Sequence, residues 1–151
     1  MKIFKYHRND IEENRIELYY NKMDQETEHI IKLIDSYNKT LTGRNEEEIK
    51  LINPNDIFYC EIVERKCFAY LKETVWQLDA SLQMILNQFG EIGFVRISKS
   101  MIVNIYKIDR LKLDISMRVN ILLANKETVV LNRTYRNEFY QYLEKMKRGE
   151  I

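Results

Sequence analysis

The chain has 151 residues, of which 45% are hydrophobic and 31% charged, the balance of one folded globular domain and not of a disordered segment. No apolar run approaches the roughly 20 residues that span a bilayer, and the N-terminus has too short an apolar stretch for a signal peptide, so we expect a cytoplasmic location. Two cysteines, Cys60 and Cys67, are too few for a disulfide scaffold.

The net charge is only +1, but the two parts of the chain differ in sign. Residues 1–91 contain 12 basic and 17 acidic side chains, whereas residues 92–151 contain 12 basic and 6 acidic ones. A basic C-terminal part is typical of a protein that binds a polyanion. Solvated charge scattered over helix and strand faces explains the same distribution, so the asymmetry alone leaves both interpretations open.

Hydrophobic periodicity predicts three helices, which cover residues 24–38, residues 79–89 and a segment that starts at residue 134. The side chain of an N-cap residue accepts a hydrogen bond from the first helical turn. The predicted N-caps are Asp24, Asp79 and Thr134. Gly90 is predicted to take the left-handed conformation that ends the second helix.

Short runs rich in β-branched and aromatic residues predict strands at residues 56–63, 67–71, 74–78, 118–123 and 128–131. Their connections are too short for parallel crossovers, so we expect antiparallel hairpins, the first of them closed by the charged turn 64–66. The sequence therefore predicts a mainly β, α+β domain over residues 46–148. Residues 1–45 are predicted to form an extension with a strand or two and a helix, which serves regulation or dimerisation.

The most distinctive stretch of the sequence runs from Gly93 to Asn104. Its hydrophobic positions suit a core, and its polar positions are the compact donors Arg96, Ser98, Lys99, Ser100 and Asn104. A short run of cation, hydroxyl and amide groups suits phosphate oxygens and base edges. No pair of adjacent predicted helices surrounds this stretch, which argues against a helix-turn-helix.

Three landmarks, taken in their order along the chain, resemble the LytTR family of bacterial DNA-binding domains. They are Asp56-Ile57-Phe58-Tyr59-Cys60-Glu61, Phe94-Val95-Arg96-Ile97-Ser98-Lys99-Ser100-Met101-Ile102-Val103-Asn104 and Leu131-Asn132-Arg133-Thr134-Tyr135. The second resembles the family's Phe-x-Arg-x-His-Arg-Ser-x-x-Val-Asn signature, and the third its Val-Ser-Arg-x-Tyr segment before the last helix. The resemblance covers roughly residues 46–147.

The resemblance implies an elongated fold of small antiparallel sheets with short helices, whose loops enter successive major grooves, bind paired direct repeats and bend the duplex. The DNA-binding residues that it implies are Arg65, Lys66, Arg96, Ser98, Lys99, Ser100 and Arg133. Lys99 and Arg133 correspond to base-contacting positions, together with a residue of the 64–67 turn. Arg96, Ser98 and Ser100 suit phosphate contacts or loop shaping, which position a protein without specifying a sequence.

The chain also departs from the family pattern. Ser98 and Lys99 replace a frequent His-Arg, and Asn132 replaces the usual Ser. A lysine cannot form the planar fork of an arginine, so the recognised sequence is expected to differ from that of relatives. About 45 residues before the resemblance are too few for a receiver domain, which needs ~100 or more. We therefore expect the receiver-less subset, whose members pair with a neighbouring membrane protein, and a homodimer, at least on DNA.

Each of these site residues also has a purely structural interpretation. Arg96 suits an ion pair with Glu91 or Asp109, and Asn104 suits a buried turn better than a DNA contact. A role confined to a turn, a helix start or the solvated surface is the structural alternative for Arg65, Lys66, Lys99 and Arg133.

The function that we expect is sequence-specific binding of double-stranded DNA by a transcriptional regulator. Two alternatives stay open: a protein-interaction module for a membrane partner with only electrostatic DNA affinity, and an RNA-binding domain that stacks bases on its tyrosines. No phosphate-binding loop, catalytic-triad order or metal-ligand spacing appears, so we expect no enzyme, cofactor, metal or small-molecule substrate. Cys60 and Cys67 are expected to be buried small hydrophobic residues.

Overall fold

A computed structural model describes residues 1–149, which form three α-helices and ten β-strands. In chain order these are α1 (Gln25–Tyr37), β1 (Leu41–Arg44), β2 (Ile49–Ile52), β3 (Tyr59–Val63), β4 (Lys66–Tyr70), β5 (Val75–Leu78), α2 (Leu82–Phe89), β6 (Phe94–Ser98), β7 (Met101–Asn104), β8 (Ile108–Leu113), β9 (Val119–Leu123), β10 (Thr128–Leu131) and α3 (Arg136–Lys147). Within the described residues, none of these helices is long and apolar enough to span a membrane.

The strands form two sheets in which the paired strands run antiparallel. The larger sheet has seven strands in the order β2-β1-β5-β4-β3-β7-β6, and the smaller has three in the order β10-β9-β8. The hairpin arrangement expected from the sequence is therefore confirmed. The mainly β, α+β fold class with a strand and a helix near the N-terminus is confirmed as well.

Strands β3, β7 and β6 are buried on both of their faces. One face packs with α2, where Ile85 and Phe89 join a core with Phe94 and Ile102. The other face packs with the three-stranded sheet and α3 in a second core, whose fully buried members include Ile97, Val103, Ile121, Leu131 and Phe139. Strands buried on both faces read as continuous hydrophobic runs and not as alternating ones, which explains why the 94–104 stretch shows no period of two.

The first helix begins as predicted, with the Asp24 carboxylate accepting a hydrogen bond of 2.9 Å from the Thr27 backbone N–H. The prediction for the second helix was wrong by two residues, because Ser81 caps α2 through the Met84 N–H. Asp79 instead forms an ion pair with Arg44 of β1.

Two further predictions of helix boundaries were wrong. The Asn132 side chain, and not Thr134, provides the cap, and it caps a 3₁₀ turn at Arg133–Tyr135 from which α3 continues. Gly90 has a right-handed conformation, with φ of −58°, and continues into a 3₁₀ turn at Gly90–Ile92. The left-handed residue is Gly93, with φ of 128°, where an added Cβ would lie 2.7 Å from the Tyr106 ring.

Residues 1–24 contain no helix or strand. They expose several large hydrophobic side chains, which are Met1, Ile3, Phe4, Tyr6, Ile16, Tyr19, Tyr20 and Met23. The Met1 amino group contacts Glu26 of α1, and α1 in turn contacts the 90–92 turn through an ion pair between Lys32 and Glu91.

Cys60 and Cys67 lie in β3 and β4, are buried and form no disulfide. Both belong to the core on the α2 side of the sheet, as expected for small hydrophobic residues. Burial raises the pKa of the Cys67 thiol to about 11 and raises that of Cys60 as well, so both thiols are protonated at neutral pH.

Candidate nucleic-acid interface

Four loops meet in a row at one end of the strands, and three hydrogen bonds link each loop to the next. The Ile62 N–H beside the β3–β4 turn donates to Ser100 O in the β6–β7 turn, at 2.8 Å. The Asn132 N–H after β10 donates to Ile97 O of β6, also at 2.8 Å. The Arg136 guanidinium donates to Met117 O in the β8–β9 turn at 2.6 Å. We call this row, residues 64–66, 96–100, 114–118 and 132–136, the basic end.

The β3–β4 turn holds two of the predicted site residues. Val63 pairs with Lys66, so the turn itself consists of Glu64 and Arg65, and Lys66 is the first residue of β4. Glu64 and Arg65 both have positive φ, 49° and 67°, as a type I′ hairpin turn requires. This conformation leaves Arg65 and Lys66 exposed.

The β6–β7 turn holds four more of the predicted residues and is shaped by two of them. Arg96 Nη1 donates to Lys99 O at 2.9 Å, and Ser98 Oγ accepts from the Ser100 N–H at 3.2 Å. Lys99 is the exposed tip, while Arg96, Ser98 and Ser100 are half-buried. Both bonds fix the backbone that carries Lys99.

Arg96 forms no ion pair with Glu91 or with Asp109, the two partners that its structural interpretation predicted. Glu91 instead contacts His29 and Lys32 of α1. Asp109 pairs with its neighbour Arg110. The Arg96 guanidinium is bonded to a main-chain carbonyl and keeps its positive charge uncompensated by either carboxylate.

Arg133 opens the 3₁₀ turn between β10 and α3 and is exposed. Asn132 holds this turn from two sides, since its Oδ1 accepts from the Thr134 N–H at 2.9 Å while its own N–H bonds Ile97 O. The backbone beside Arg133 is therefore held against β6 at Ile97, which lies two residues before Lys99. The structure thus brings Lys99 and Arg133, which lie far apart in sequence, to the same end of the molecule.

The β8–β9 turn, residues 114–118, joins the same row, and sequence reasoning missed it. The Asp114 carboxylate accepts from the N–H groups of Ser116 and Arg118 and from the Arg118 guanidinium. These bonds, chiefly that from the Arg118 backbone, hold the pKa of Asp114 below its usual value. Arg136, whose guanidinium donates to Met117 O, lies only three residues after the predicted Arg133. This cluster of cations was the feature of the sequence that could have indicated a further basic loop.

The two ends of the strands differ in charge. The basic end contains seven basic residues, namely Arg65, Lys66, Arg96, Lys99, Arg118, Arg133 and Arg136, against the two acidic residues Glu64 and Asp114. The loops at the other ends of the strands, residues 45–48, 72–73, 105–107 and 124–127, contain three lysines and five glutamates. The excess of positive charge in the C-terminal part is thus concentrated in one row of loops.

Asn104, the last residue of the distinctive stretch, is only 2% exposed. Its Nδ2 donates to Ile57 O at 3.0 Å, and its Oδ1 accepts from the Tyr106 N–H at 3.1 Å. The side chain therefore satisfies two backbone groups, of which the Ile57 carbonyl is buried, as its structural interpretation predicts. It does not face the basic end.

Among residues 1–149, no three His, Cys, Asp or Glu side chains come together as a metal-binding group. The helices in this part of the chain are also separated from one another by strands, so no two of them form a helix-turn-helix.

The known proteins that this chain resembles in sequence and in structure are DNA-binding domains and transcriptional regulators. The model of the family described as the LytTr DNA-binding domain matches residues 47–144. Over 125 residues, the chain is 28% identical to an uncharacterized HTH-type transcriptional regulator of Staphylococcus aureus (strain NCTC 8325 / PS 47), with 82% of this chain and 84% of the relative covered. A similar relative from strain MRSA252 is 27% identical over the same coverage. Among solved structures, the LytTr DNA-binding domain of a Bacillus cereus protein superposes with a TM-score of 0.65 and 21% identity, over 70% of this chain and 98% of that one.

Proposed function

The chain belongs to the LytTR family of DNA-binding domains, and from this premise we propose that it regulates transcription by binding specific sequences of double-stranded DNA through the basic end. The observation that carries the proposal is the row of four linked loops with seven basic and two acidic residues. Phosphate neutralisation by such cations supplies much of the affinity of a DNA-binding protein. Fixed loops can in addition hold side chains against base edges in the grooves.

We assign base contacts to Lys99 and Arg133 and to the β3–β4 turn with Arg65 and Lys66. These four side chains are exposed, and none of them forms an ion pair or hydrogen bond within residues 1–149 that would compete with DNA. Arg96, Ser98 and Ser100 support these contacts indirectly, because Arg96 and Ser98 form hydrogen bonds with the backbone of the turn that carries Lys99.

Two copies bound to directly repeated half-sites are the arrangement that we propose on DNA, in the cytoplasm of a bacterial cell. The relatives from Staphylococcus aureus are named HTH-type transcriptional regulators, which supports regulation as the role. Since strands separate the helices of residues 1–149, we assign DNA reading to the loop row and not to a recognition helix.

A selection experiment followed by matched variants tests this proposal. Duplexes bound by the wild-type chain are selected from a random pool, and affinity for the selected duplex and for a shuffled one is then measured by gel shift. We expect Arg133→Ala to weaken binding to the selected duplex about tenfold or more and to reduce the preference over the shuffled duplex, because a good Arg–guanine pair contributes about 1–3 kcal/mol.

Lys126→Ala is the control, since Lys126 is exposed in the β9–β10 turn at the opposite end of the strands. It should leave both affinity and preference unchanged. Equal behaviour of the two variants would refute the assignment of the basic end. Stronger competition by RNA than by duplex DNA of the same sequence would favour the RNA-binding alternative.

A second function is favoured by one specific observation, the large hydrophobic side chains that residues 1–24 expose. Single exposed hydrophobic side chains are common on monomers, whereas many of them within one short segment favour a partner that covers them. We propose that this segment contacts a protein partner, either a membrane regulatory protein or a second copy of the chain, without replacing the role of the basic end.

A further inference from the structure

The β8–β9 turn presents an isoleucine at its tip. Ile115 is fully exposed, and Met117, two residues later, is 61% exposed. A single exposed hydrophobic residue is common on protein surfaces and by itself indicates nothing. Here, however, the residue stands at the tip of a turn within the basic end, where the neighbouring loops carry cations.

Hydrogen bonds hold the backbone of the tip before any ligand binds. The Asp114 carboxylate accepts hydrogen bonds from the backbone N–H groups of Ser116 and Arg118, both at 2.9 Å, and these two residues directly follow Ile115 and Met117. Two backbone bonds between Asp114 and residues 117 and 118 close the turn, each of 3.0 Å. A side chain held out on a pre-formed turn loses little conformational freedom on binding, which favours affinity.

The turn is anchored to the segment that carries Arg133. Arg136 donates to Met117 O at 2.6 Å, and Arg136 follows the 3₁₀ turn opened by Arg133. The only carboxylate of this turn, Asp114, is already bonded to the Arg118 guanidinium at 2.8 Å. The apolar tip therefore lies beside Arg136 and has no unpaired carboxylate in its own turn, so a polyanion is a favourable neighbour.

We propose that Ile115, supported by Met117, enters a groove of the bound duplex and packs against the apolar surface of the bases. Apolar side chains contact the thymine methyl group in the major groove, and Ile and Met are among the residues that wedge against base steps in the minor groove. This inference rests on the proposed DNA-binding function and adds to it an uncharged contact from a loop that the sequence motifs do not include.

Substitution Ile115→Ser tests the inference on the duplex that the wild-type chain selects. We expect about tenfold weaker binding, the effect of removing a buried aliphatic side chain from an interface. The slope of log affinity against log salt concentration should stay unchanged, because Ile115 contacts no phosphate. By contrast, removal of one phosphate contact lowers that slope by about 0.9. The melting temperature should also stay unchanged, since the side chain is fully exposed.

Ile115→Leu should restore most of the affinity, because its apolar surface is similar. Ile49→Ser is the matched control: Ile49 is 72% exposed but lies in β2 at the edge of the seven-stranded sheet, and the variant should bind as the wild type does. Unchanged affinity of Ile115→Ser would overturn the inference and leave the proposed function standing. A weaker affinity accompanied by a changed salt slope or a lower melting temperature would overturn it too. Failure of the wild-type chain to select any duplex would instead refute the proposed function, and this inference with it.

Discussion

Asn104 shows that a residue of a DNA-binding signature can serve the fold alone. It ends the stretch that resembles the family signature, yet its amide bridges Ile57 O and the Tyr106 N–H inside the protein. The bridge connects the end of β7 with the segment before β3. A residue with this environment is expected to matter for stability and not for base recognition.

We expect Asn104→Ala to lower the free energy of unfolding by about 2–3 kcal/mol, because the Ile57 carbonyl would stay buried without a partner. Urea denaturation measures this change. Asn120→Ala, at a half-buried position of β9, is the matched control and should cost clearly less. Similar decreases for both variants would contradict the role given to the Asn104 amide.

At the level of residues, the sequence indicated candidate site residues but not the hydrogen-bond partners of their side chains. Motif spacing indicated Lys99 and Arg133, and the structure places them at one end of the molecule. The partner of Arg96 could not be predicted, because it is the main-chain carbonyl of Lys99, an acceptor that becomes available only after the β6–β7 turn has formed. Charge complementarity with Glu91 or Asp109 was therefore misleading.

Helix boundaries illustrate what the sequence leaves open at the level of elements. Both Asp79 and Ser81 have side chains suited to an N-cap, and intrinsic preference does not separate them. Tertiary structure does, because Asp79 forms an ion pair with Arg44 of β1 while Ser81 accepts from the Met84 N–H. In the same way, β6 and β7 lack alternation because both of their faces are buried.

Ser81→Ala should lower the free energy of unfolding by about 1 kcal/mol through removal of the cap of α2. Asp79→Ala should have the smaller effect, since both partners of its ion pair are about half exposed and exposed pairs contribute little. Thermal or urea denaturation of the two variants side by side provides the comparison. The reverse order of effects would show that Asp79 and not Ser81 stabilises the start of this helix.

Over the whole molecule, the sequence predicted the fold class and the kind of pairing but not how the N-terminal part is attached. Strand β1 pairs with β2 and β5 in the seven-stranded sheet, and α1 contacts the 90–92 turn. Residues 1–24 contain no strand or helix, and their Met1 amino group contacts Glu26 of α1. Such long-range pairings depend on register between distant segments, which local periodicity does not encode.

Deletion of residues 1–23, which keeps the Asp24 cap of α1, should leave the melting temperature and the affinity for DNA nearly unchanged. This deletion removes the exposed ion pair between the Met1 amino group and Glu26 of α1. Differential scanning calorimetry and gel shift measure the two properties. Deletion of residues 1–40, which also removes α1 and its ion pair with Glu91, is the comparison and should lower the melting temperature. An unfolded product of the shorter deletion would contradict this division of the chain.

Under the proposed function, the hydrogen bonds that connect the four loops place a constraint on the DNA site. Because hydrogen bonds connect each loop to the next, the proposed DNA contacts keep a fixed spacing along the double helix. One inserted base pair moves every position beyond it by about 3.4 Å and turns it by roughly 34–36°. Side chains on independent loops could follow such a change. Loops connected by hydrogen bonds must either lose some of their contacts or twist and bend the DNA until the contacts fit.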